Sequence, residues 1–426
     1  MFNTSNHLFE SNINRVGDAR DDLDTVYPFF IEKGKGAYVW DLDGNQYIDF
    51  TNANGGIVLG YCHDEVDQAV ADQIINKGNI FATQYSRTKA ELAKELLEIF
   101  EKAERVIFFK TGSDATDAAI RLARVASGKR IILTCGYHGW HDWQLNMFPR
   151  FDLGDDKHIN FQYDLESLKQ YIHDFRDDIA GVIVTPEYNY YDDDFYLQVQ
   201  SIVKEANLIF VLDEVASGFR YCLGGLQKKI GLEPDMTCLG KGLANGYSIS
   251  AVVGKNAVMK ETCLQTHMWS TYNSELTGLV ASLMTLKIMR KKNVPAIIQT
   301  NSEYFVKKLS ELFLEYGVKG EMLTHPNIFH IVFEDNILMD QFVTECYLHG
   351  VLLSRDYENM LSLSHNKQII DNAVERIRQA FSTMRSAGLF KDTFQNKYLI
   401  SREALAERMK EEFDGSFEYS IFKDRK

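Results

Sequence analysis

The chain has 426 residues, 45% of them hydrophobic and 25% charged, which excludes collagen-like, coiled-coil and largely disordered chains. This length exceeds what one hydrophobic core usually serves, so we expect two lobes, or one large α/β domain with a smaller domain attached. The formal net charge of −14 repels a phosphate backbone, and without a basic stripe to offset it we expect no nucleic-acid partner.

The predicted elements begin with a β-hairpin over residues 37–50, AYVWDLDGNQYIDF, where alternating apolar residues flank an Asp-Gly turn. Two stretches with apolar residues at helical spacing follow, over Asp64–Lys77 and Lys89–Ala103. Both stretches have a polar face, so we expect two amphipathic surface helices.

Between about Arg105 and Gly254, short apolar runs alternate with helical stretches. The predicted strands are VIFF, RIILT, AGVIVT, LIFVLDE, DMTCLG and ISAVVG, and the predicted helices cover Asp114–Ala126, Asp164–Phe175 and Tyr196–Ala206. This alternation is typical of an α/β domain with a mostly parallel sheet that is covered on both faces. Ligands of such sheets bind at the carboxyl ends of the strands, which is where chemistry is expected.

Beyond the predicted sheet, the pattern changes to helices with a second set of strands. A long helical stretch runs from Ser274 to Arg290 and continues after Pro295 towards Tyr316, and NIFHIVFE starts a new strand. A helix over Ile369–Ala387 completes a smaller α+β lobe, which the N-terminal hairpin could join. The predicted division is an N-terminal segment 1–60, a large domain 61–315 and a small domain 316–426 with a helical tail.

Six cysteines are spread along the chain without a CxxC pair, a pattern that fits neither a zinc site nor a disulfide scaffold. The N-terminus is polar and acidic, without the apolar segment of a secretion signal, and no later stretch has the apolar length that a bilayer span needs. We therefore expect a cytoplasmic protein with no metal site and no membrane partner.

Two residues at predicted strand ends are candidates for a catalytic role. Lys241 lies between Gly240 and Gly242 after an apolar strand, and such an accessible amine can form a Schiff base with a carbonyl compound. For GKG alone a surface lysine is the simpler interpretation, because short motifs match by chance. Asp213 ends the run LIFVL and could hold a proton on the ring nitrogen of pyridoxal phosphate, or be an ordinary solvated residue.

Two further segments suit a phosphorylated aromatic ligand. In TGSDATDAAIRLAR, Gly112 and Ser113 open a predicted helix, and the N-terminus of a helix attracts phosphate, although the same residues serve as ordinary caps. In GYHGWHDW, Tyr137 and His138 follow a predicted strand. An aromatic ring there could stack on a flat cofactor or pack within an aromatic loop.

Taken in this order, the segments KGAYVWDLDGNQYIDF, FKTGSDATDAAIRLAR, YHGWHD, VLDEV and LGKGLANGY resemble the class III aminotransferases among the fold type I pyridoxal phosphate enzymes. Within that family they look most like the glutamate-1-semialdehyde aminomutases. The resemblance extends from about Gly34 to Ala387. It implies a large, mostly parallel-sheet domain with a smaller α+β domain, and pyridoxal 5'-phosphate as the cofactor.

The resemblance also implies a role for each matched residue. The implied cofactor-binding residues are Gly112, Ser113, Tyr137, His138, Asp213, Lys241 and Thr271. Lys241 corresponds to the Schiff-base lysine and general base, and Asp213 to the partner of the pyridine nitrogen. Gly112 and Ser113 would grip the phosphate, and Tyr137 would stack on the ring, with His138 beside it. Thr271 matches a threonine that reaches the phosphate of the neighbouring subunit, which implies a homodimer with shared active sites.

Departures from the family pattern concern the substrate. Thr-Pro-Glu, residues 185–187, stands where the family commonly has Glu-Pro, Asn-Ser-Glu-Leu replaces its SGNP, and asparagine replaces an early aromatic. Arg150 or Arg355 could hold a substrate carboxylate or lie at the surface. The candidate substrate-binding residues are Asn52, Asn54, Arg150, Glu187 and Glu275.

The predicted function is transfer of an amino group from an amino acid, glutamate by preference, to a carbonyl acceptor. The departures from the family pattern make the expected substrate pocket more polar. A polar pocket suits a sugar or a sugar acid of the keto-deoxy-octulosonate type, as in amino-sugar biosynthesis. One alternative is an aminomutase on glutamate-1-semialdehyde, but the stretch after YHGWHD looks shorter than the aminomutase loop that retains the intermediate. A second alternative is a non-catalytic binding protein, against which the retained Lys241 and Asp213 argue.

Overall fold

A computed structural model of the protein describes residues 30–390 except 82–83, 146–156, 188–189, 319, 326, 334–335 and 356–357. These residues divide into two compact units. The sheet unit comprises residues 64–296, and the terminal unit joins residues 30–63 to residues 297–390. The predicted segments 1–60, 61–315 and 316–426 stay a prediction. Across the described ranges, no helix combines the length and apolarity that a membrane span requires.

The sheet unit alternates strands with helices. Its strands are β4 (Arg105–Phe109), β5 (Ile131–Cys135), β6 (His158–Asn160), β7 (Ile179–Val184), β8 (Ile209–Glu214), β9 (Met236–Leu239) and β10 (Ser250–Gly254). Its helices are α1 (Asp64–Lys77), α2 (Arg87–Ile99), α3 (Gly112–Ser127), α4 (Leu165–Asp174), α5 (Asp193–Glu205), α6 (Gly225–Ile230), α7 (Asn256–Met259), α8 (Thr262–Gln265) and α9 (Leu276–Lys292).

The seven strands of the sheet unit form one sheet in the order β4-β10-β9-β8-β7-β5-β6. Strand β10 is antiparallel to both of its neighbours, and the pairs from β9 to β6 are parallel. All six residues of β7 are buried, as expected for a strand that is covered on both faces. The prediction of an α/β fold with a mostly parallel sheet is confirmed.

Helix α3 illustrates how the sequence builds this unit. Thr111 accepts a hydrogen bond from the amide of Asp114, whose side chain accepts one from the amide of Thr111, so a capping box starts the helix. Gly128, in the left-handed conformation, ends it. Its buried face is rich in alanine and packs against Ile183 and Val211 of the sheet. These small side chains let the helix lie close to the strands.

The terminal unit has its own strands and helices. Its strands are β1 (Ile31–Lys35), β2 (Tyr38–Asp41), β3 (Gln46–Asp49), β11 (Gly320–His325), β12 (Ile328–Phe333) and β13 (Val351–Leu352). Its helices are α10 (Val294–Tyr316), which belongs to this unit from residue 297 onwards, α11 (Asn336–Leu348) and α12 (Lys367–Ser386). Strands β1, β2, β3 and β13 form one sheet, and β11 pairs with β12.

The core of the terminal unit is aromatic. Phe50 and Phe305 stack with ring centroids 4.5 Å apart, and Phe342 stacks on Phe381 at 5.0 Å. Such aromatic pairs contribute more than their buried area alone. They join the segment after β3 to α10, and α11 to α12. Phe313 of α10 also lies 5.8 Å from Phe381 of α12, so the first and last described parts of the chain share one core.

Most predicted elements are confirmed with ends displaced by a few residues. The hairpin forms around Gly44, whose positive φ of 82° suits the turn, and the helix predicted over Asp64–Lys77 has those bounds. The short edge strand β6 was missed, because three residues carry too little pattern. The predicted helical tail at the C-terminus lies outside the described residues, which end at residue 390.

Candidate active site

Three of the candidate residues, Asp213, His138 and Lys241, lie at strand ends along one edge of the large sheet. Because β4 and β9 are both antiparallel to β10, β4 runs in the same direction as the parallel strands. The carboxyl ends of β4, β5, β7, β8 and β9 therefore share an edge, which is the expected place for a ligand. Asp213 lies within the end of β8, His138 follows β5, and Lys241 follows β9.

Asp213 is the buried charge of this edge, with only 2% of the residue exposed. Its Oδ1 accepts a hydrogen bond from the amide of Val215 at 3.1 Å, and its Oδ2 lies 2.9 Å from Nδ1 of His138. A buried carboxylate needs such donors to offset its desolvation. The geometry fits a carboxylate that is held in one orientation by its neighbours.

His138 is fixed by several contacts. Its side chain is wholly buried, its ring lies 5.8 Å from that of Trp143, and its carbonyl accepts from Oγ1 of Thr116 at 2.8 Å. Since Nδ1 faces the Asp213 carboxylate, Nδ1 is the nitrogen that carries a proton. Its Nε2 is buried and has no partner among the residues that the structure describes.

Thr185 is a site residue that sequence reasoning noted only as a departure from the family. Its hydroxyl lies 2.8 Å from the carbonyl of Tyr137, 3.1 Å from Nδ1 of His138 and 3.2 Å from Oδ2 of Asp213. It directly follows the last residue of β7. Its position at a strand end on the shared edge was the signal that could have identified it.

The N-terminus of α3 offers a place for an anion. Within the described residues, the amide N–H groups of Gly112 and Ser113 have no hydrogen-bond acceptor. A side chain at Gly112 would place its Cβ 2.7 Å from Cγ1 of Val215, so only glycine lets the backbone approach this closely. Two unused donors at the positive end of a helix dipole suit a phosphate group.

Lys241 lies close to the same valine. A Cβ at the preceding Gly240 would lie 3.2 Å from Cγ1 of Val215, so Val215 separates the start of α3 from the turn that carries the lysine. Lys241 is half-buried with a φ of 42°, a left-handed conformation that is unusual for a side chain of this size. Such outliers concentrate at functional sites.

Tyr137 and Thr271 are more exposed than the other candidates. Tyr137 is 45% exposed, so one face of its ring is accessible to a ligand. Thr271 opens a short 3₁₀ turn, Thr271–Ser274, and is exposed together with Trp269 and Tyr272. In the part of the chain that is described, no residue hydrogen-bonds to the Thr271 hydroxyl.

The two acidic residues predicted to bind substrate, Glu275 and Glu187, make different contacts in the structure. Glu275 pairs with Lys110 at 2.6 Å and also accepts from the amide of Thr277 at the start of α9. Glu187 is half-buried, and its amide donates to the hydroxyl of Tyr196 at 2.7 Å. A role of either residue in substrate binding stays a prediction.

Asn52 and Asn54 lie in a left-handed turn of the terminal unit. Asn52, Ala53 and Asn54 have φ values of 47°, 51° and 52°, which is strained for residues other than glycine. The Asn52 amide nitrogen donates to the carbonyls of Met360 at 2.6 Å and Asp49 at 3.4 Å. Its buried Oδ1 has no donor within the described segments. Arg150 lies outside the described residues.

Glu214, next to Asp213, supports the site from the other face of β8. It is fully buried, and its two oxygens accept from the amides of Leu226 at 2.8 Å and Gln227 at 3.1 Å, which fixes the start of α6. Burial raises the pKa of Glu214 to about 7, although these amides and Ser217 oppose the rise. The folded protein therefore holds a proton on this carboxyl over a range where the unfolded chain has lost it.

We expect Glu214 to make stability depend on pH. A carboxyl whose pKa is raised on folding contributes stability that is lost as the pH rises from about 4.5 through 7. Between pH 5 and 8 the free energy of unfolding should fall by about 2–3 kcal/mol more in the wild type than in Glu214→Gln. Urea unfolding at several pH values measures this. The exposed control Glu205→Gln should follow the wild type, and parallel profiles for the wild type and Glu214→Gln would contradict the prediction.

Comparison with known families agrees with this geometry. A family model described as aminotransferase class-III matches residues 20–384. A 2'-deamino-2'-hydroxyneamine transaminase from Streptomyces kanamyceticus is 35% identical over 372 residues, which cover 86% of this chain and 94% of the relative. A glutamate-1-semialdehyde 2,1-aminomutase from Aquifex aeolicus is 29% identical over 392 residues, covering 83% of this chain and 92% of the relative.

Solved structures show the same fold. The crystal structure of an omega-transaminase from Sphaerobacter thermophilus aligns with a TM-score of 0.80 at 22% identity, and the alignment covers 89% of this chain and 98% of that chain. At this identity the likeness concerns the fold alone. It confirms the predicted fold type I architecture, with its large, mostly parallel sheet.

Proposed function

Because this chain belongs to the class III aminotransferase family, we propose that it moves an amino group from glutamate to the carbonyl carbon of a hydroxylated, sugar-like acceptor. The family match and the transaminase relative identify this protein as a pyridoxal-phosphate-dependent aminotransferase that acts on small-molecule amino donors and acceptors. Family membership favours catalysis over the non-catalytic alternative. The donor and the acceptor are the parts of the function that are proposed.

The residues at the sheet edge fit pyridoxal phosphate. The N–H groups of Gly112 and Ser113, which lack acceptors among the described residues, suit its phosphate. The buried carboxylate of Asp213 suits its ring nitrogen. The exposed ring of Tyr137 offers a stacking surface. We assign these residues, with His138 behind Asp213, to cofactor binding.

The chemistry divides between the cofactor and the protein. When bound, pyridoxal phosphate supplies an electron-withdrawing ring that stabilises negative charge on the substrate carbon. Asp213 would hold the ring nitrogen in its protonated form, because a carboxylate favours a positive charge beside it. Lys241 Nζ would act as general base towards the carbon that bears the amino group, and it would return the same proton as general acid later in the reaction.

The observation that carries the assignment of the cofactor site is the position of Val215. Its amide donates to Asp213, and its side chain lies within 2.7–3.2 Å of where a Cβ would stand on Gly112 and on Gly240. The anion-binding helix start, the buried carboxylate and the turn that carries Lys241 therefore surround one small side chain. A single small aromatic phosphate ester could reach all three groups.

Two observations support a hydroxylated acceptor. The Streptomyces relative is named for a compound that carries a hydroxyl group in place of an amino group. In this chain, the buried Oδ1 of Asn52 is a hydrogen-bond acceptor without a donor in the described ranges, and a hydroxyl-rich ligand supplies such donors. We propose Asn52 and Asn54 as substrate-binding residues, and a sugar acid of the keto-deoxy-octulosonate type as one candidate acceptor.

We also propose that the enzyme is a cytoplasmic homodimer with shared active sites. Thr271, Trp269 and Tyr272 are exposed on one loop, and exposed aromatic side chains of this size are enriched at interfaces between proteins. The Thr271 hydroxyl would then bind the phosphate in the partner's site. The exposure of the loop is what supports this arrangement.

We expect Lys241→Ala to abolish turnover while pyridoxal phosphate still binds. The phosphate and ring contacts do not involve the lysine, but no base remains to move the proton. After borohydride treatment, the wild-type chain should gain the mass of a pyridoxyl phosphate group and the variant should not. Lys260→Ala, at another lysine of the same unit, should behave as the wild type. Normal turnover in Lys241→Ala would refute the assignment.

We expect Thr271→Ala and Lys241→Ala to complement each other. If the sites are shared, subunit exchange yields heterodimers in which one site carries both changes and the other carries neither. Activity should then recover to as much as half that of the wild type per heterodimer. If Thr271 serves its own subunit, each site keeps one lesion and no activity returns. The measurement is transaminase activity after demonstrated exchange, and a fully active monomer on size-exclusion chromatography would also exclude sharing.

The acceptor can be identified with two separate half-reactions. Glutamate should convert the pyridoxal form of the enzyme into the pyridoxamine form, and a hydroxylated aldehyde or ketone should convert it back, each followed by the change in visible absorption. We expect sugar-type carbonyl compounds to react faster than unsubstituted aliphatic ones of the same length. Conversion of glutamate-1-semialdehyde without a second substrate would instead favour the aminomutase alternative, for which the Aquifex relative is a precedent.

A further inference from the structure

Three polar atoms from three strand ends meet beside the carboxylate that we assign to the cofactor ring. Oγ1 of Thr185 lies 3.1 Å from Nδ1 of His138 and 3.2 Å from Oδ2 of Asp213, and these two atoms are 2.9 Å apart. All three residues are buried. Water therefore does not compete strongly for these contacts, and the positions of the protons determine whether the triangle is attractive.

The proton count restricts the arrangement. A threonine hydroxyl has one proton and two lone pairs, and a backbone carbonyl can only accept. The 2.8 Å contact between the Thr185 hydroxyl and the carbonyl of Tyr137 therefore uses the hydroxyl proton. The lone pairs that remain face His138 and Asp213. A lone pair next to a carboxylate oxygen is repulsive unless a donor lies between them, and Nδ1–H of His138 is that donor.

The opposite arrangement is less favourable. If Thr185 donated to Asp213, it would exchange the 2.8 Å bond to the Tyr137 carbonyl for one of 3.2 Å. His138 would then be the second donor to the same oxygen, and the carbonyl of Tyr137 would lose the hydroxyl as a donor. The distances thus favour a hydroxyl that accepts from His138 and donates to Tyr137.

We propose that Thr185 is a positioning residue for the cofactor-binding carboxylate. Its hydroxyl shares the Nδ1 proton of His138 with Asp213, which fixes the histidine tautomer, and it ties the backbone of Tyr137 to the same triangle. The Asp213 carboxylate and the Tyr137 ring, which we assign to cofactor binding, are thereby held in fixed positions relative to each other. A neutral hydroxyl can accept and donate at once, which a carboxylate at this position could not do. This inference rests on the proposed role of Asp213.

The experiment compares four variants as holoenzymes. Thr185→Val has a similar volume but no hydroxyl, and Thr185→Ser keeps the hydroxyl. Thr344→Val is the matched control, because it removes a threonine hydroxyl that donates to a backbone carbonyl over the same 2.8 Å, in the terminal unit. Asp213→Asn tests the carboxylate itself. The visible absorption of bound pyridoxal phosphate is recorded from pH 6 to 10, and kcat and KM are measured with glutamate as donor.

We expect Thr185→Val to lower kcat by about threefold to tenfold, the effect of one hydrogen bond, with little change in KM. Its spectral midpoint in pH should move in the same direction as that of Asp213→Asn, but by less. Thr185→Ser and Thr344→Val should superimpose on the wild type. A role in packing alone would move stability but not the spectral midpoint.

Two results separate failure of this inference from failure of the proposed function. If Asp213→Asn changes the spectrum and Thr185→Val does not, the positioning role of Thr185 is wrong while the assignment of Asp213 survives. If neither variant changes the spectrum, the carboxylate at the ring nitrogen lies elsewhere and both assignments fall. Failure of Thr185→Ser to restore the wild-type spectrum would also overturn the role of the hydroxyl.

Discussion

The buried carboxylate of Asp213 is the constraint on which the site depends. A charge that is 2% exposed must find donors inside the protein, since its desolvation would otherwise cost several kcal/mol. The donors come from the backbone of Val215 and the ring of His138. Because these groups follow different strands, the carboxylate is satisfied only when β5 and β8 are both in register with the rest of the sheet.

The second requirement is close approach, and small side chains provide it. Glycine at positions 112 and 240 leaves room for Val215, and the alanine face of α3 lets the helix start at the sheet edge. Its first two amides have no acceptor within the described ranges. A larger side chain at Gly112 would displace either the valine or the helix. The positive end of the α3 dipole thus lies next to the end of β8 that carries Asp213. A phosphate group next to a cationic ring would match this pair of sites.

Several buried or helix-terminal polar groups have no hydrogen-bond partner among the described residues. They are Oδ1 of Asn52, Nε2 of His138 and the first two amides of α3. Buried polar groups are nearly always satisfied. A bound phosphate would accept from the two amides of α3, which agrees with the family to which the chain belongs.

The sequence by itself determined the α/β class and most helices and strands, because periodicity and glycine placement are local signals, and its motifs indicated the family. It also singled out Lys241 and Asp213, whose roles stay a prediction. Only the tertiary structure decided that Thr185 contacts Asp213 and His138, that Val215 lies between Gly112 and Gly240, and that Glu275 pairs with Lys110. These contacts join strand ends and loops far apart in the chain, and no local pattern encodes which of them meet. Register and packing across the sheet set those distances.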